Sequence, residues 1–292
     1  MVFDGKQAAV ALKEQLAEKI SQYSCTYGRT PCLEVILVGN DYGSTRYAES
    51  CVKQALSLGM LCRLVRMQET ASEQDVTEAV AQANEDNEVD GILVQMPLPK
   101  GISAERVISR LRPDKDVDGV TDANVAALWK QRSNDYSRFC VPCTPRSVMR
   151  ILQTAGVRLD GKRTIVVGRS NIVGLPVSKL LMNENCTVTV AHSHTADLAT
   201  RLREAEIIVA AIGKAKFITA DMVGDGAVVI DVGINSDPLT GKMCGDVDYD
   251  SVADKCSLIT PVPGGVGPLT ICSLIENTLD CYLRHKQKFV EQ

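Results

Sequence analysis

Residues 164–181 read TIVVGRSNIVGLPVSKLL, and this stretch decides the fold of the second half of the chain. Its first five residues form a short, β-branched apolar run that is typical of a buried strand. Gly168 stands at the tight turn after this strand, and Gly174 stands where the next helix begins. This order of strand, glycine turn and helix is typical of a Rossmann-like unit, in which small residues let the backbone approach a pyrophosphate at the helix N-terminus.

The rest of the chain alternates predicted helices and strands in the same way. A helix with apolar residues at helical spacing is predicted over residues 4–24, and the apolar run LEVILVG follows it as a strand. Strands separated by helices imply parallel sheets that are covered on both faces, so the predicted fold class is α/β. The predicted strands span residues 33–39, 61–67, 91–96, 164–168, 186–191, 206–213 and 227–233.

The length of the chain indicates two domains, because 292 residues exceed what one hydrophobic core usually serves. Residues 143–269 are predicted to form the Rossmann-like domain, after a polar, proline-bearing stretch around 131–145. The segment from Pro268 to the end reads as a long amphipathic helix that returns to the other domain. Residues 1–142 together with 270–292 are therefore predicted to form an N-terminal α/β domain.

Charge and hydropathy argue against two classes of partner. The formal net charge is -4 and no stretch gathers Lys and Arg into a basic stripe, so we expect no nucleic-acid binding. The N-terminal sequence MVFDGKQAAVALKEQL is charged and amphipathic, and no apolar run approaches the length that spans a membrane, so we expect no membrane contact and a cytoplasmic protein. The 11 cysteines are an odd number scattered through predicted strands and helices, which favours reduced thiols.

Cys140 and Cys143 form a C-x-x-C pair, which raises the question of a metal site. A structural zinc ion needs four ligands, and the sequence has no second pair of this kind. His192 and His194 belong to another motif far along the chain. We therefore predict no metal, with a zinc or redox role for the pair as the alternative.

The glycine turn departs from the usual G-x-G-x-x-G pattern, because Ser170 stands where the second glycine would be. A glycine turn without a ligand is the structural alternative. The residues predicted to bind a dinucleotide lie in this turn and at the end of the next strand: Gly168, Arg169, Ser170, Ile172, Gly174, His192 and Ser193.

The end of the second nucleotide strand indicates which dinucleotide is bound. Folds that select NAD commonly carry Asp or Glu there to bond the ribose hydroxyls, whereas this strand ends in Ala191, His192 and Ser193. Arg169 stands beside the first glycine, where a guanidinium can pair with the 2′-phosphate of NADP. NADP is therefore favoured over NAD. In the alternative, Arg169 contacts only the pyrophosphate, or a bound ion bridges it to an NAD-type ligand.

Six motifs in a fixed order carry a family resemblance that runs over essentially the whole chain. They are GNDYGSTRYAESCVKQA (39–55), VQMPLP (94–99), DKDVDG (114–119), PCTP (142–145), GRSNIVG (168–174) and PVPGGVGPLT (261–270). With these motifs the sequence is similar to the bifunctional methylenetetrahydrofolate dehydrogenase/cyclohydrolases of the FolD type. The resemblance implies a homodimer that oxidises the one-carbon bridge of methylenetetrahydrofolate by hydride transfer to a nicotinamide dinucleotide. It also implies hydrolysis of the methenyl product to formyltetrahydrofolate, with both steps in a cleft between the domains.

The resemblance implies roles for three side chains of the N-terminal domain. Tyr47 matches the tyrosine that stacks on the pterin and orients the substrate, and an aromatic face suits a flat heterocycle. Asp118 matches the aspartate that accepts paired hydrogen bonds from the pterin edge. Gln95 matches an amide near the reacting centre, with a plain strand-end cap as the alternative. Asp116 is expected to act as a loop ligand or cap.

The segment 261–270 is rich in proline and glycine, so it is predicted to be a rigid loop that allows close backbone approach. In the family this loop lies at the folate and nicotinamide cleft, so the resemblance implies substrate contacts for Pro263, Gly264 and Gly265. Thr270, at the start of the closing helix, is included as a further substrate contact. Its alternative is a plain hydroxyl contact at the helix N-terminus.

Cys51 departs from the family pattern. Four residues after the stacking tyrosine the family has a lysine on the same helix face, and here Cys51 occupies that position. Lys53 cannot take over the role, because six residues from Tyr47 correspond to about 240° around the helix. The lysine is credited with the cyclohydrolase step, and a thiol is a weak donor that is normally uncharged at neutral pH. We therefore expect a dehydrogenase whose cyclohydrolase activity is weak or absent.

Several alternatives to this expectation stay open at this point. The chain is fully bifunctional in the first of them, and Cys51 is a reactive nucleophile in the second. A third is another Rossmann oxidoreductase, such as a shikimate-type dehydrogenase, which would not need Tyr47, Gln95 and Asp118 together. The fourth is a folate-binding or dinucleotide-binding module that has lost catalysis with the lysine.

Overall fold

The structure is a computed structural model that describes the backbone of residues 1–290 and the side chains of residues 1–287. Within it the chain divides into two compact units. The first unit contains Ala11–Lys130, Asp135–Cys143 and the chain from Ile271 onward. The second unit contains Met1–Val10, Gln131–Asn134 and Thr144–Thr270.

Helices and strands alternate along most of the described chain. The helices are α1 (Gly5–Tyr27), α2 (Tyr42–Ser57), α3 (Glu73–Glu85), α4 (Ala104–Ile108), α5 (Asp122–Lys130), α6 (Cys143–Thr154), α7 (Gly174–Asn183), α8 (Leu198–Glu204), α9 (Tyr249–Val252) and α10 (Gly267–Val290). The strands are β1 (Cys32–Val38), β2 (Leu61–Met67), β3 (Gly91–Val94), β4 (Arg163–Val167), β5 (Thr187–Ala191), β6 (Ile207–Ala210), β7 (Val228–Asp231), β8 (Asn235–Ser236), β9 (Met243–Cys244) and β10 (Leu258–Ile259). No helix within residues 1–290 is both long enough and apolar enough to cross a lipid bilayer.

The first unit is built on a three-stranded parallel sheet in the order β2-β1-β3. Every residue of the central strand β1 is buried, as expected for an apolar strand inside a parallel sheet. Ile36 and Val38 of this strand pack with Val76 and Val80 of α3 and with Ile92 of β3. Because β1 and β3 run parallel, the start of α2 and the residues that follow β3 lie at the same edge of the sheet.

The second unit contains a five-stranded parallel sheet in the order β10-β7-β6-β4-β5. Strand β4 has β5 on one side and β6 on the other, with Val167 paired to both Ala191 and Ala210. The chain therefore reverses its strand order at β4, and in such sheets ligands bind outside the carboxyl ends of the strands at this point. Gly168 follows β4 at that edge.

The predicted α/β class with two parallel sheets is confirmed, and α10 joins the first unit from Ile271 onward as expected. The packing differs from the predicted domain division at the start of the chain. Met1–Val10 lies in the second unit, because Val2 forms a parallel bridge with Ile259 and the Phe3 N–H donates to the Ile259 carbonyl at 2.9 Å. The amphipathic pattern of the first helix gives no sign of this short strand-like pairing.

Candidate active site

Tyr47 and Cys51 lie one turn apart on α2, which positions both side chains in the first unit. The helix begins after Asp41, whose carboxylate accepts a hydrogen bond from the Ser44 N–H at 2.8 Å and caps the first turn. The Cys51 thiol lies close enough to the Tyr47 hydroxyl for each group to influence the pKa of the other.

The Cys51 thiol is closed off from solvent, with 1% of the residue exposed. Burial, followed by the nearby Cys62, raises the pKa of Cys51 to about 12. Burial also raises the pKa of Tyr47 well above its ordinary value. Both groups are consequently protonated and uncharged at neutral pH, so this helix face supplies neither a cation nor a thiolate nucleophile.

Asp118 lies near this pair. Its carboxylate contributes to the raised pKa of the Tyr47 hydroxyl. The Asp118 carboxylate accepts a hydrogen bond from the Cys143 N–H at 3.4 Å. Burial raises the pKa of Asp118 to about 6. Hydrogen bonding to Cys143 lowers this pKa, and the charge of Asp116 raises it further. At neutral pH it is a partly buried carboxylate that can accept two hydrogen bonds from a substrate.

Gln95 follows β3 at the sheet edge where α2 begins. Its N–H donates to the Ile36 carbonyl at 2.9 Å, and its side-chain amide nitrogen donates to the Met96 carbonyl at 2.7 Å. The Met96 carbonyl also accepts a hydrogen bond from the Ser44 hydroxyl at 3.3 Å, which ties this loop to the first turn of α2. The amide nitrogen of Gln95 is thereby engaged within the loop, and its contact with a substrate stays a prediction.

The other charged residues of DKDVDG hold the loop in place. Lys115 Nζ donates to the carbonyls of Ala83, Asn84 and Asp86 at the end of α3, at 3.0, 2.7 and 2.7 Å. Asp116 accepts hydrogen bonds from the Thr121 N–H and from the Asn124 side chain, both at 2.8 Å. Asp116 thus holds the loop together through hydrogen bonds, which is the role that the sequence predicts for it.

Asn277 on α10 is a site residue that sequence reasoning missed. It is fully buried, and its side-chain nitrogen donates to the carbonyls of Val117 and Val141 at 2.7 and 2.8 Å. These bonds fix the backbone just before Asp118 and just before its partner Cys143. An asparagine within the apolar face of a long helix is the signal that could have identified it, because buried amides are almost always hydrogen-bonded.

The two cysteines of C-x-x-C have separate partners. The Cys140 sulfur lies 3.5 Å from the Cys281 sulfur, and an Arg284 nitrogen donates to the two sulfurs at 3.0 and 3.2 Å. The Cys143 sulfur instead contacts the Val117 carbonyl at 3.5 Å. Within the described part of the chain, no group of three or more His, Cys, Asp or Glu side chains is arranged to hold a metal ion.

The glycine turn of the second unit is packed too tightly for side chains. Gly168 has φ 129°, and a Cβ there would lie 2.1 Å from the Ala211 carbonyl oxygen. A Cβ at Gly174 would lie 2.2 Å from the Gly168 carbonyl oxygen. The Ser170 hydroxyl accepts hydrogen bonds from the N–H groups of Val173 and Gly174 at 3.2 and 3.4 Å. This geometry suits a phosphate-binding turn, because the backbone of the turn comes close to the helix N-terminus.

Polar side chains surround this turn at the carboxyl edge of the sheet. Arg169, Ser170 and Ile172 are exposed, and the pairing of Val167 with Ala191 places the ends of β4 and β5 side by side. The next residues, His192 and Ser193, therefore lie beside the glycine turn. The His192 N–H donates to the Thr195 hydroxyl at 2.8 Å, which shapes the loop after β5. The structure thus brings together the residues predicted to bind a dinucleotide.

The loop 261–265 is held by backbone packing within the second unit. Gly264 has φ 111°, which favours glycine, and a Cβ at Gly5 would lie 1.9 Å from the Gly265 carbonyl oxygen. The start of α1 therefore packs directly on this loop. Thr270 lies in the first turn of α10, where its hydroxyl donates to the Val266 carbonyl at 3.4 Å. This bond is local to the helix, and substrate contacts of the loop and of Thr270 stay predictions.

Two family models match the chain. The catalytic domain of tetrahydrofolate dehydrogenase/cyclohydrolase matches residues 3–118, and the NAD(P)-binding domain of the same family matches residues 142–286. The bifunctional protein FolD of Staphylococcus aureus (strain MRSA252) is 46% identical over 278 residues, which cover 95% of each chain.

Solved structures of similar proteins share the whole fold. The bifunctional FolD methylenetetrahydrofolate dehydrogenase/cyclohydrolase of Campylobacter jejuni has a TM-score of 0.92 at 38% identity, covering 97% of this chain and 99% of that chain. The methylenetetrahydrofolate dehydrogenase-cyclohydrolase of Trypanosoma brucei, solved with NADP and an inhibitor, has a TM-score of 0.93 at 36% identity and covers 98% of both chains. The chain therefore belongs to the tetrahydrofolate dehydrogenase/cyclohydrolase family.

Proposed function

We propose that this chain oxidises 5,10-methylenetetrahydrofolate to 5,10-methenyltetrahydrofolate with NADP, and that it hydrolyses the methenyl product slowly or not at all. The observation that carries the proposal is Cys51, a buried neutral thiol near Tyr47, at the position where the family resemblance implies a lysine. Family membership supports the dehydrogenase half and leaves the shikimate-type alternative without support.

The first unit supplies groups that bind and orient the folate. Tyr47 would stack on the pterin ring, and the Asp118 carboxylate would accept hydrogen bonds from the ring edge. The Gln95 oxygen would meet the substrate at the same sheet edge. The C–H bond of the one-carbon bridge breaks with its electron pair, and bound NADP supplies the chemistry that accepts this hydride. The reaction needs positioned partners more than an acid or base, so the loss of a lysine leaves it intact.

NADP is proposed as the dinucleotide because of the charge at the turn of the second unit. Gly168, Ser170 and Gly174 would hold its pyrophosphate, and Arg169 would pair with the 2′-phosphate. The strand end at Ala191, His192 and Ser193 carries no carboxylate of the kind that bonds the ribose hydroxyls in NAD-selective folds. The NADP complex of the Trypanosoma brucei relative adds support from within the family.

Hydrolysis of the methenyl product makes a different demand. Water adds to the methenyl carbon and loses a proton, and the bond from that carbon to N5 of the folate then breaks as N5 takes up a proton. A cationic or proton-donating amine near the folate nitrogen promotes this reaction. A thiol with a pKa of about 12 and 1% exposure neither carries a positive charge nor exchanges protons readily near neutral pH. The second candidate is a fully bifunctional enzyme, which is favoured by the bifunctional name of the Staphylococcus aureus relative.

Initial rates on one purified sample would test the proposal. Methylenetetrahydrofolate is supplied with NADP or with NAD, and the absorbance of the methenyl product is followed. Methenyltetrahydrofolate is then supplied alone, and its decay is compared with the decay in buffer. We expect turnover with NADP, less with NAD, and a methenyl decay close to the buffer rate. Methenyl hydrolysis well above the buffer rate would establish the bifunctional alternative, and binding of both ligands without product would point to a non-catalytic module.

Substitution at position 51 tests whether the missing lysine limits hydrolysis. Cys51→Lys should raise methenyl hydrolysis at least about tenfold, within the usual range of general acid–base catalysis, while hydride transfer stays nearly unchanged. Cys51→Ala is the matched control, because it also removes the thiol without adding an amine. If the lysine variant folds and gains no hydrolysis, the absence of a lysine at this position is not what limits the reaction.

We also propose a homodimer, a cytoplasmic location and two domains, one of residues 1–142 with 270–292 and one of residues 143–269, with Met1–Val10 packed on the second. The dimer rests on the family resemblance and is tested by light scattering on the purified chain. A reducing cytoplasm suits the 11 free cysteines, most of which are buried. Fractionation of the host cell, with detection of this chain in each fraction, tests the location.

A further inference from the structure

Asp246 is a buried carboxylate of the second unit that has no place in the site described so far. It is 0% exposed. One of its oxygens accepts hydrogen bonds from the N–H groups of Ile212 and Gly213 at 2.5 and 3.1 Å. The other accepts from the Lys214 N–H at 2.8 Å and from the Asn235 side chain at 2.9 Å. A single carboxylate thus binds three successive backbone N–H groups.

The three N–H groups belong to the loop that follows β6, and this loop lies against the glycine turn. β6 is the neighbour of β4, and Ala211 donates its N–H to the Val167 carbonyl at 2.8 Å. The Ala211 carbonyl is the group that a Cβ at Gly168 would strike at 2.1 Å. The loop Ala211–Lys214 is therefore one wall of the edge at which a dinucleotide binds in folds of this kind.

A second buried aspartate fixes Asp246 in turn. Asp231, at the end of β7, accepts hydrogen bonds from the N–H groups of Gly233, Asp246 and Val247 at 2.9, 3.0 and 2.9 Å. Its own N–H donates to the Thr260 hydroxyl at 2.8 Å.

Two glycines make room for these carboxylates. A Cβ at Gly233 would lie 2.4 Å from the carboxylate carbon of Asp246, and a Cβ at Gly245 would lie 1.9 Å from an Asp231 oxygen. The two carboxylates therefore pack directly against the backbone of these glycines. Because Asp246 is held in this way, the loop after β6 that it binds has little freedom to move away from the glycine turn.

Asp246 costs free energy to bury, and its only described partners are neutral donors. A buried charge without a cation is retained where hydrogen bonds to it fix a backbone conformation that would otherwise be lost. Without Asp246, three N–H groups of a partly buried loop would have to find other acceptors, and the loop would move to reach them. The loop's position against Gly168 therefore depends on this carboxylate.

We propose that Asp246 is a positioning residue for dinucleotide binding, acting through the loop Ala211–Lys214. The proposal rests on the dinucleotide site of the proposed function. It concerns a residue that contacts only the chain itself, so its loss should weaken binding of the dinucleotide and leave folate binding and the hydride step nearly unaffected.

Asp246→Asn is the direct test, because the amide keeps the shape of the side chain and one acceptor oxygen. The other oxygen becomes an NH2 group that faces backbone N–H donors. We expect the KM for NADP to rise about tenfold, the equivalent of one lost or reversed hydrogen bond, with kcat and the KM for methylenetetrahydrofolate changed less than about threefold. Calorimetric binding of NADP to the folate-free chain should weaken by the same factor.

A stability control separates positioning from general loss of structure. Asp90→Asn changes a buried aspartate of the first unit that accepts the Cys32 N–H and pairs with Arg29. It should lower the unfolding temperature and leave the KM for NADP unchanged. Should Asp246→Asn lower the unfolding temperature in the same way without changing NADP binding, Asp246 has only a structural role and the proposal is overturned.

Asn235→Ala keeps the proposal testable if Asp246→Asn does not fold. It removes one half-buried donor to Asp246 and leaves the three backbone bonds in place. The KM for NADP should then rise about twofold to fivefold. An unchanged KM in this variant overturns the proposal in that case. Failure of the proposed function is distinguishable, because the unaltered chain would then neither bind NADP in the calorimeter nor form the methenyl product.

Discussion

The Asp118 carboxylate is ionised at neutral pH in a place where burial and the charge of Asp116 disfavour its charged form. Its pKa of about 6 in the folded chain is above the ordinary value of 3.8, so the folded state holds the proton more tightly than the unfolded state. The cost of ionisation is fully present above about pH 6 and disappears as the pH falls below the unfolded pKa. Above about pH 6 the ionised Asp118 therefore lowers the stability of the folded chain, and it is this ionised form that is proposed to bind the substrate.

Asp118→Asn should therefore stabilise the chain and abolish its activity. At about pH 8 the free energy of unfolding should rise by roughly 1–3 kcal/mol, because the buried charge is removed while the acceptor for the Cys143 N–H is kept. The gain should shrink as the pH falls through 6. Denaturant unfolding at several pH values measures the first effect, and the methenyl assay measures the second. A variant that is inactive and equally stable at every pH would contradict this account.

At the scale of elements, α10 is joined to the sheet of the first unit through His285. The imidazole lies 3.5 Å from an Asp90 oxygen and 3.6 Å from an Asp114 oxygen. Burial lowers the pKa of His285, and the nearby carboxylates of Asp114 and Asp90 raise it by more, so that the net change is upward from 6.5. A raised histidine pKa stabilises the folded chain below the unfolded pKa, and this contribution is lost as the pH rises through the folded pKa.

His285→Gln should destabilise the chain in a pH-dependent way. At about pH 6 we expect a loss of about 1 kcal/mol, because a neutral amide replaces a cation between two carboxylates. As the pH rises through the folded pKa, the imidazole of the unaltered chain loses its charge, and the difference should fall to a few tenths of a kcal/mol. Thermal unfolding of both chains from pH 5.5 to 9 tests this. A difference that is constant over the range, or larger at high pH, would show that the bond to Asp90 does not depend on the charge.

Sequence reasoning located most elements but not their long-range bonds. The strand predicted over 206–213 ends at Ala210, because the residues after it turn away to meet Asp246. β10 is only two residues long, too short for a periodic pattern, and it exists because β7 lies beside it. The strands β1 and β4 were predictable, because each is a continuous apolar run.

The residues of the candidate site also fall into those that a motif indicates and those that only a long-range contact reveals. Tyr47, Gln95 and Asp118 are candidates because each is itself part of a motif that the family resemblance rests on. Asn277 could not be identified in this way, because its partners Val117 and Val141 lie 160 and 136 residues away in the sequence. The contact of Cys140 with Cys281 rather than with Cys143 could not be read from a C-x-x-C spacing for the same reason.

At the scale of the whole molecule, the dinucleotide should stabilise the chain against heat. A ligand that binds only the folded state adds about 2.7 kcal/mol at a hundredfold excess over its Kd. For a chain of this size we expect the unfolding temperature to rise by roughly 5–10 °C with NADP. NAD at the same concentration should give a smaller rise, because it lacks the 2′-phosphate that Arg169 is proposed to bind.

Arg169→Ala tests the origin of that difference. The variant should lose most of the extra stabilisation by NADP and keep the stabilisation by NAD, because the glycine turn and its helix N-terminus are unchanged. Arg106→Ala is the matched control, since Arg106 is an arginine of the first unit whose side chain is 76% exposed. That change should leave both shifts as they are. If Arg169→Ala lowers the NADP and NAD shifts equally, Arg169 contacts the pyrophosphate common to both, and selection of NADP must come from Ser193 or its neighbours.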